Sequence, residues 1–408
     1  MGGAAGHMRH PHDAAMVRSG VDLIDMFYNI ESLLIQGLTV PNVKIDGINV
    51  SFKFLNGQFA VDRGSLKEID VSGVTIDRIG ERFPEGHGMR PAITNLLTIM
   101  NTALPNIQSE IQELGLIANP HYFLNTEYVE GTTNAVGYEE DFIAIHGVNA
   151  FYEKQSRGDK YRPGDARPID HNTNKPTKDP SYEVDFNQSA MSSLIDKLNQ
   201  VGPSMGFKFY GPIPASGIPD VDIDFSNSLN TLINFNATEY LDIVPELSKY
   251  KGKSLEQCLL AIDIKPGNYP NYPLLIMNDG KKRNPYHKET YLNILKRNIP
   301  LEDIAPPETI ENFVKGAILM HATRLLGNSV LAHLTSEIGD MIGDDGGHEG
   351  IVIRNPKIDP NPIKITGDFI ETGMFGAIAQ VMAQNENTIT MKEKDLLHLI
   401  ESLIAGIF

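Results

Sequence analysis

Apolar and polar positions alternate one by one in the stretch VKIDGINVSFKFLNGQFAVDRG, residues 43 to 64. Ile48, Val50, Phe52 and Phe54 take turns with Asn49, Ser51 and Lys53, and an Asn56-Gly57 pair leads into a second alternating run through Phe59 and Val61. Period-two alternation on both sides of Asn-Gly predicts a β-hairpin with a tight turn. Upstream, between Asp13 and Gln36, the period changes. Val21, Ile24, Phe27, Tyr28, Leu33 and Leu34 recur at helical spacing, and Gly37 serves as the stop. Residues 91–115 predict a helix interrupted near Pro105. HYFLNTEYVEG and DFIAIHGVNAFYE, rich in aromatic and β-branched residues between glycine and asparagine, predict strands.

Residues 154–181 are polar, punctuated by proline and almost free of large apolar side chains, which reads as a long loop or linker. Helical patterns return at 188–200 and 308–341, with the glycine- and proline-filled GPIPASGIPDVDID between them. The glycine-rich GDDGGHEG leads into a strand, IVIRN, and TMKEKDLLHLIESLIAGIF predicts an amphipathic helix with Leu396, Leu399, Ile400 and Leu403 on one side. No internal repeat is visible. The opening MGGAAGHM reads as a tag remnant, so residues 1–12 are expected as a tail outside the fold.

Composition narrows the function classes. With 41% hydrophobic and 21% charged residues the 408-residue chain has an ordinary globular balance. No apolar run approaches the roughly 20 residues that cross a bilayer, and the N-terminus has no signal-peptide design, so no membrane partner is expected. The single cysteine, Cys258, rules out an internal disulfide framework and a cysteine-built zinc site, and fits a cytoplasmic location. A formal net charge of −17 argues against broad phosphate neutralisation on duplex DNA. Nucleic-acid contact would have to be local. Lys281, Lys282, Arg283, Lys288, Lys296 and Arg297 form one such basic run, read either as a solvated face or as a strand-binding patch. His87, His146 and His348 lack ligand-spaced partners, and no zinc is assigned to them.

The chemistry centres on Lys44, just before the hairpin. A lysine attacks phosphorus or a carbonyl only as the neutral amine, which desolvation or a neighbouring cation favours. A lysine at a strand mouth, beside a glycine that admits substrate to the backbone, suits that role. Lys44-Ile45-Asp46-Gly47 resembles the first motif of the covalent nucleotidyltransferases, the superfamily of ATP-dependent DNA ligases, RNA ligases and mRNA capping enzymes. Further matches follow in the superfamily's order. Arg63-Gly64 resembles the arginine after the hairpin. Phe123 to Tyr128 looks like the strand whose glutamate, here Glu127, binds ribose. Asp141 to His146 is similar to the strand that offers an aromatic, here Phe142, to adenine. His348 to Arg354 is close to E-G-x-V-x-R, whose glutamate, Glu349, serves a metal. Pro362 to Thr366 resembles K-x-K, represented by Lys364 alone.

The resemblance implies an α+β fold: a nucleotidyltransferase domain, akin to ATP-grasp, of antiparallel sheets flanked by helices. Its first part would span 13–153 and its second 345–370. A linker and insertion subdomain over 154–344 and a helical C-terminal segment over 371–408 complete the expected division. The implied activity is sealing of 5′-phosphate and 3′-hydroxyl ends through a lysyl-AMP on Lys44, with ATP and Mg²⁺. Asp46, Gly47, Arg63, Glu127, Phe142, Glu349 and Lys364 would bind the nucleotide. The implied partners are nicked or single-stranded RNA or DNA ends, as in compact bacteriophage enzymes. The short helical C-terminus tilts the expectation toward RNA, and Asp46 in the first motif tilts it back toward DNA. A capping-type guanylyltransferase and a non-ligating, AMP-transferring relative are the alternatives. Two departures stand out: the long stretch before Glu349, and the single lysine of the last motif.

Overall fold

The computed structural model describes residues 8–62, 73–129, 138, 140–152, 169–170, 175–176, 181–215, 222–233, 245–263, 275–276, 282–283, 307–334 and 349–367. Helix α1, Gly20–Ile35, starts where the Ser19 side chain accepts the Asp22 N–H, and ends before Gly37 at a φ of 63°. Its buried stripe runs through Leu23, Phe27, Ile30 and Leu34, whereas Val21 and Tyr28 face outward. The chain then forms β1 (Asn42–Val43) and the expected hairpin, β2 (Ile48–Leu55) and β3 (Gln58–Asp62). Phe52 pairs with Val61 and Phe54 with Phe59 around a turn in which Asn56 and Gly57 both have positive φ, 49° and 83°.

Helix α2, Arg90–Glu113, continues through Pro105 rather than breaking there. Pro105 is exposed, so water can take up the carbonyl freed one turn earlier, and the apolar face through Leu97, Met100, Ile107 and Ile111 is unbroken. Strands β4 (Tyr122–Val129) and β5 (Phe142–Phe151) follow as expected. Short β6 (Ile169–Asp170) and β7 (Lys175–Pro176) pair with each other, and β8 (Ser181–Val184), helix α3 (Gln188–Leu198) and β9 (Lys208–Tyr210) come next. Two short helices, α4 (Ser226–Leu229) and α5 (Leu255–Leu260), precede the small hairpin of β10 (Leu275–Ile276) and β11 (Lys282–Arg283). The long α6 (Pro307–Leu331), β12 (Ile351–Ile353) and β13 (Ile363–Ile365) complete the described elements.

The protein is a mixed α+β fold with two main sheets. The larger has the order β3-β2-β4-β5-β8, with β9 beside the other end of β5. All its pairings are antiparallel except β5 with β9, which run parallel from Phe142↔Lys208 to Ala144↔Tyr210. One face packs on α2 and α3 through Val50, Phe52, Leu124, Ile143, Leu97 and Leu194. Lys197 on α3 bonds Glu110 on α2 at 2.6 Å behind it. The smaller sheet, β1-β12-β13, shares a second core with α1, α5 and α6 through Val43, Ile351, Ile353, Ile363 and Ile365. Val129, Phe142 and Ala144 of the larger sheet join that core as well. Arg354, just past β12, forks onto both oxygens of Glu183 on β8 at 2.8 and 2.9 Å, tying one sheet to the other.

Two expected boundaries do not coincide with this packing. The stretch 154–344 is not set apart among the described residues: β8 and β9 extend the larger sheet, α3 packs on α2, and α6 lies in the second core. The expected tail also enters the fold. Arg9 bridges Ile363 in parallel, and His10, His12 and Asp13 are buried. The helix expected over 371–408 lies outside the described residues. No described helix is long and apolar enough to cross a membrane.

Candidate nucleotide-transfer site

The segment from Val43 to Ile48 crosses from the smaller sheet to the larger one, and Lys44 lies on that crossing. Its N–H donates to the Gly350 carbonyl at 2.8 Å, which locks the lysine against the start of β12. Lys44 Nζ forms a short ion pair with Glu349, and both side chains are almost wholly buried. Gly350 itself lies hard against Ile365 and Thr366 at the end of β13. Its φ is 113°, and a Cβ there would stand 2.0 Å from the Ile365 carbonyl oxygen.

Glu127, on β4, arrives from the other sheet. Its Oε1 accepts the Gly47 N–H at 3.3 Å, and its Oε2 is 3.2 Å from His146 Nε2. A Cβ on Gly47 would meet the Tyr128 carbonyl at 2.6 Å and Glu127 Cγ at 2.8 Å, so the Lys44-to-Gly47 turn requires glycine at its end. The next backbone N–H, that of Asp46, donates to the Tyr138 hydroxyl at 2.8 Å. Lys364 pairs with Val352 across β12 and β13, on the face opposite the isoleucines of the core.

These charges act on one another. Burial is the main force pushing the Glu349 carboxyl up to about 7, partly offset by Lys44 and reinforced by Asp46 and Glu127. Burial also draws the Lys364 ammonium down, with help from the neighbouring Lys44 charge. Burial likewise pushes the Tyr138 phenol up, and Asp46, Glu349 and Glu127 add to it. Lys44, Asp46, Glu127, Glu349 and Lys364 thus share one electrostatic neighbourhood, although they come from distant parts of the chain.

The face of the larger sheet that carries Glu127 is polar at its centre. Asn49 is opposite Glu127 and Ser51 opposite Asn125. The alternation would send Asn49, Ser51 and Lys53 to solvent, yet Ser51 and Lys53 are fully buried, with Lys53 Nζ 4.7 Å above the Phe151 ring. Asn49 Oδ1, Ser51 Oγ, Glu349 Oε2, His10 Nδ1 and Thr366 Oγ1 are buried without a hydrogen-bond partner. Native proteins leave few such atoms, and these five belong to the segments that meet around Lys44.

Not every expected residue joins the site. Phe142 is completely buried, with Tyr138 and Tyr210 edge-on at 5.2 and 5.4 Å, and offers no open face for a base to stack on. It packs as a core residue because its position on β5 points into the second core. Arg63 and Lys281 lie outside the described residues, and Lys282 and Arg283 form β11. His10, Tyr138 and His146 were not expected. In the sequence His146 closes the Asp141–His146 stretch and is set aside as a metal ligand, with no signal for a glutamate partner; a register shift at Asn125/Thr126 in the facing strand accompanies its meeting with Glu127.

No group of three or more histidine, cysteine, aspartate or glutamate side chains among the described residues could hold a metal by itself. Glu349 Oε2 is a buried carboxylate oxygen without a hydrogen-bond partner. That fits Mg²⁺, which is commonly held by one or two carboxylates together with substrate phosphates. No family model, curated protein or solved structure matches the chain.

Proposed function

We propose that the protein is an ATP-dependent polynucleotide ligase of the nucleotidyltransferase type, sealing 5′-phosphate to 3′-hydroxyl ends through a lysyl-AMP on Lys44. The observation that carries this reading is the meeting of Lys44, Glu127, Glu349 and Lys364 in one buried cluster. Their types and order along the chain had singled them out beforehand.

In this reading Lys44 Nζ is the nucleophile. It gives its proton to the bonded Glu349, whose carboxyl burial makes a better proton acceptor than an exposed one. A P–N bond then forms at the α-phosphorus as the bond to the pyrophosphate oxygen breaks. Lys364 opposes the negative charge that gathers there. Glu127, held by Gly47 and His146, is oriented to accept hydrogen bonds from ribose hydroxyls. Mg²⁺ held largely by the phosphates, with Glu349 nearby, would supply further charge neutralisation. AMP next passes to a 5′-phosphate end, and a 3′-hydroxyl displaces it to join the strands.

The test is retention of label. The wild-type chain incubated with α-labelled ATP and Mg²⁺ should keep label after denaturation, and Lys44→Ala should keep none. No label on the wild type, or equal label on both, refutes the reading. Labelling by GTP instead of ATP would replace the ligase with a capping-type guanylyltransferase. Nicked RNA, DNA and hybrid duplexes then identify the strand that is sealed.

A further inference from the structure

Residues 9–13 run into the site beside β13. The Arg9 carbonyl accepts the Lys364 N–H at 2.8 Å, so the next residue, His10, is brought alongside Lys364. His10 is buried, and its ring stacks on His12 with centroids 5.4 Å apart and planes 16° from parallel. His12 Nδ1 is in turn 3.2 Å from the Thr323 hydroxyl on α6. The His10 ring is therefore held by its neighbours, while its own Nδ1 is shut from solvent and bonded to nothing.

A buried nitrogen left unpaired costs about 1–3 kcal/mol. What could satisfy it is limited by charge. Burial, Lys364, His12 and Lys44 all oppose a proton on His10, so the imidazole is neutral. The ammonium groups of Lys44 and Lys364 favour an anion beside His10, while the carboxyls of Asp13, Glu127 and Glu349 also act on Lys364. A neutral imidazole protonated at Nδ1 donates one hydrogen bond and adds no charge to a crowded site.

We propose that His10 is a phosphate-binding residue of the site, donating from Nδ1 to a phosphoryl oxygen of the nucleotide beside Lys44 and Lys364. The identity of that phosphate rests on the nucleotidyl-transfer reading; the capture of an anion does not.

Two measurements separate them. In the first, the rate of labelling by α-labelled ATP is followed against nucleotide concentration for wild type, His10→Ala and His10→Asn, with thermal unfolding recorded for each. Asparagine puts an amide N–H near the place of Nδ1. Loss of one bond to a charged oxygen should raise half-saturation roughly ten- to a hundredfold in His10→Ala, and His10→Asn should recover most of it. Unchanged half-saturation in His10→Ala overturns the proposal, and so does equal loss in both variants accompanied by lower unfolding temperatures. In the second, calorimetry measures inorganic pyrophosphate binding to the unlabelled chains. Weaker binding to His10→Ala than to wild type and His10→Asn supports the anion role even if no chain is ever labelled. Equal binding to all three, or none to wild type, overturns it.

Discussion

Replacing His12 with asparagine isolates the effect of one proton on stability. His12 is buried, and burial, with a smaller contribution from the Lys364 charge, lowers its pKa from 6.5 to about 3. In the unfolded chain the ring takes up a proton below 6.5, and in the folded chain it does so only near 3. Between these values the unfolded state binds more protons, so stability falls as pH falls. From pH 7 to pH 5 the loss is about 2 kcal/mol, at about 1.36 kcal/mol per pH unit below the unfolded value. Asparagine can keep a hydrogen bond to Thr323 but cannot titrate. Its constant cost from altered packing cancels when each chain is compared with itself at two pH values. Asp13 and Glu349 are raised, chiefly by burial, to about 7, and contribute the opposite slope. That slope is common to both chains. Urea unfolding at pH 7 and pH 5 should show the wild type losing about 2 kcal/mol more than His12→Asn. Equal losses would mean that His12 is free to protonate in the folded protein, and the buried N-terminal segment would be wrong.

Other expectations follow from single positions. Gly350→Ala sets a Cβ against the Ile365 carbonyl at a φ of 113°, and should cost more than about 2 kcal/mol in urea unfolding and remove Lys44 labelling. Pro105→Ala restores an N–H on the exposed face of α2 and should raise stability by about 1–3 kcal/mol, read by the same unfolding curves. Loss of stability in that variant would show that the proline is needed where it stands.

Local pattern made much of the fold readable. The β2–β3 hairpin was legible because alternation and an Asn-Gly turn are properties of adjacent residues, and α1, α3, β4 and β5 were legible for similar reasons. Residue types in order singled out Lys44, Glu127, Glu349 and Lys364, which share one neighbourhood in the fold, without saying how they would touch. What local pattern could not convey was which segments pair over long range. β8 and β9 look like parts of an insertion until β5 is seen to pair with both. Phe142 reads equally as a base platform or a core residue, and only its neighbours Tyr138 and Tyr210 decide. Lys53 alternates as a surface residue should, but the second face of its sheet is covered too. The histidines of residues 10 and 12 carried no periodic signal at all. Their burial is a consequence of β13, which lies far along the chain.

That last pairing bears on how the protein is made. The Ala15 N–H bonds Asp359 Oδ2 at 2.6 Å across a separation of 344 residues. At translation rates of about 5–20 residues per second, the first segment waits roughly 20–70 s for its partner to be synthesised. Contacts so remote in sequence close a large loop and form slowly. A nascent chain can assemble the hairpin and α2 early, but Lys44 gains Glu349 and Lys364 only when β12 and β13 arrive. The cluster around Lys44 is therefore completed last, and a chain stopped before residue 349 holds Lys44 without the charged neighbours that β12, β13 and their flanks bring.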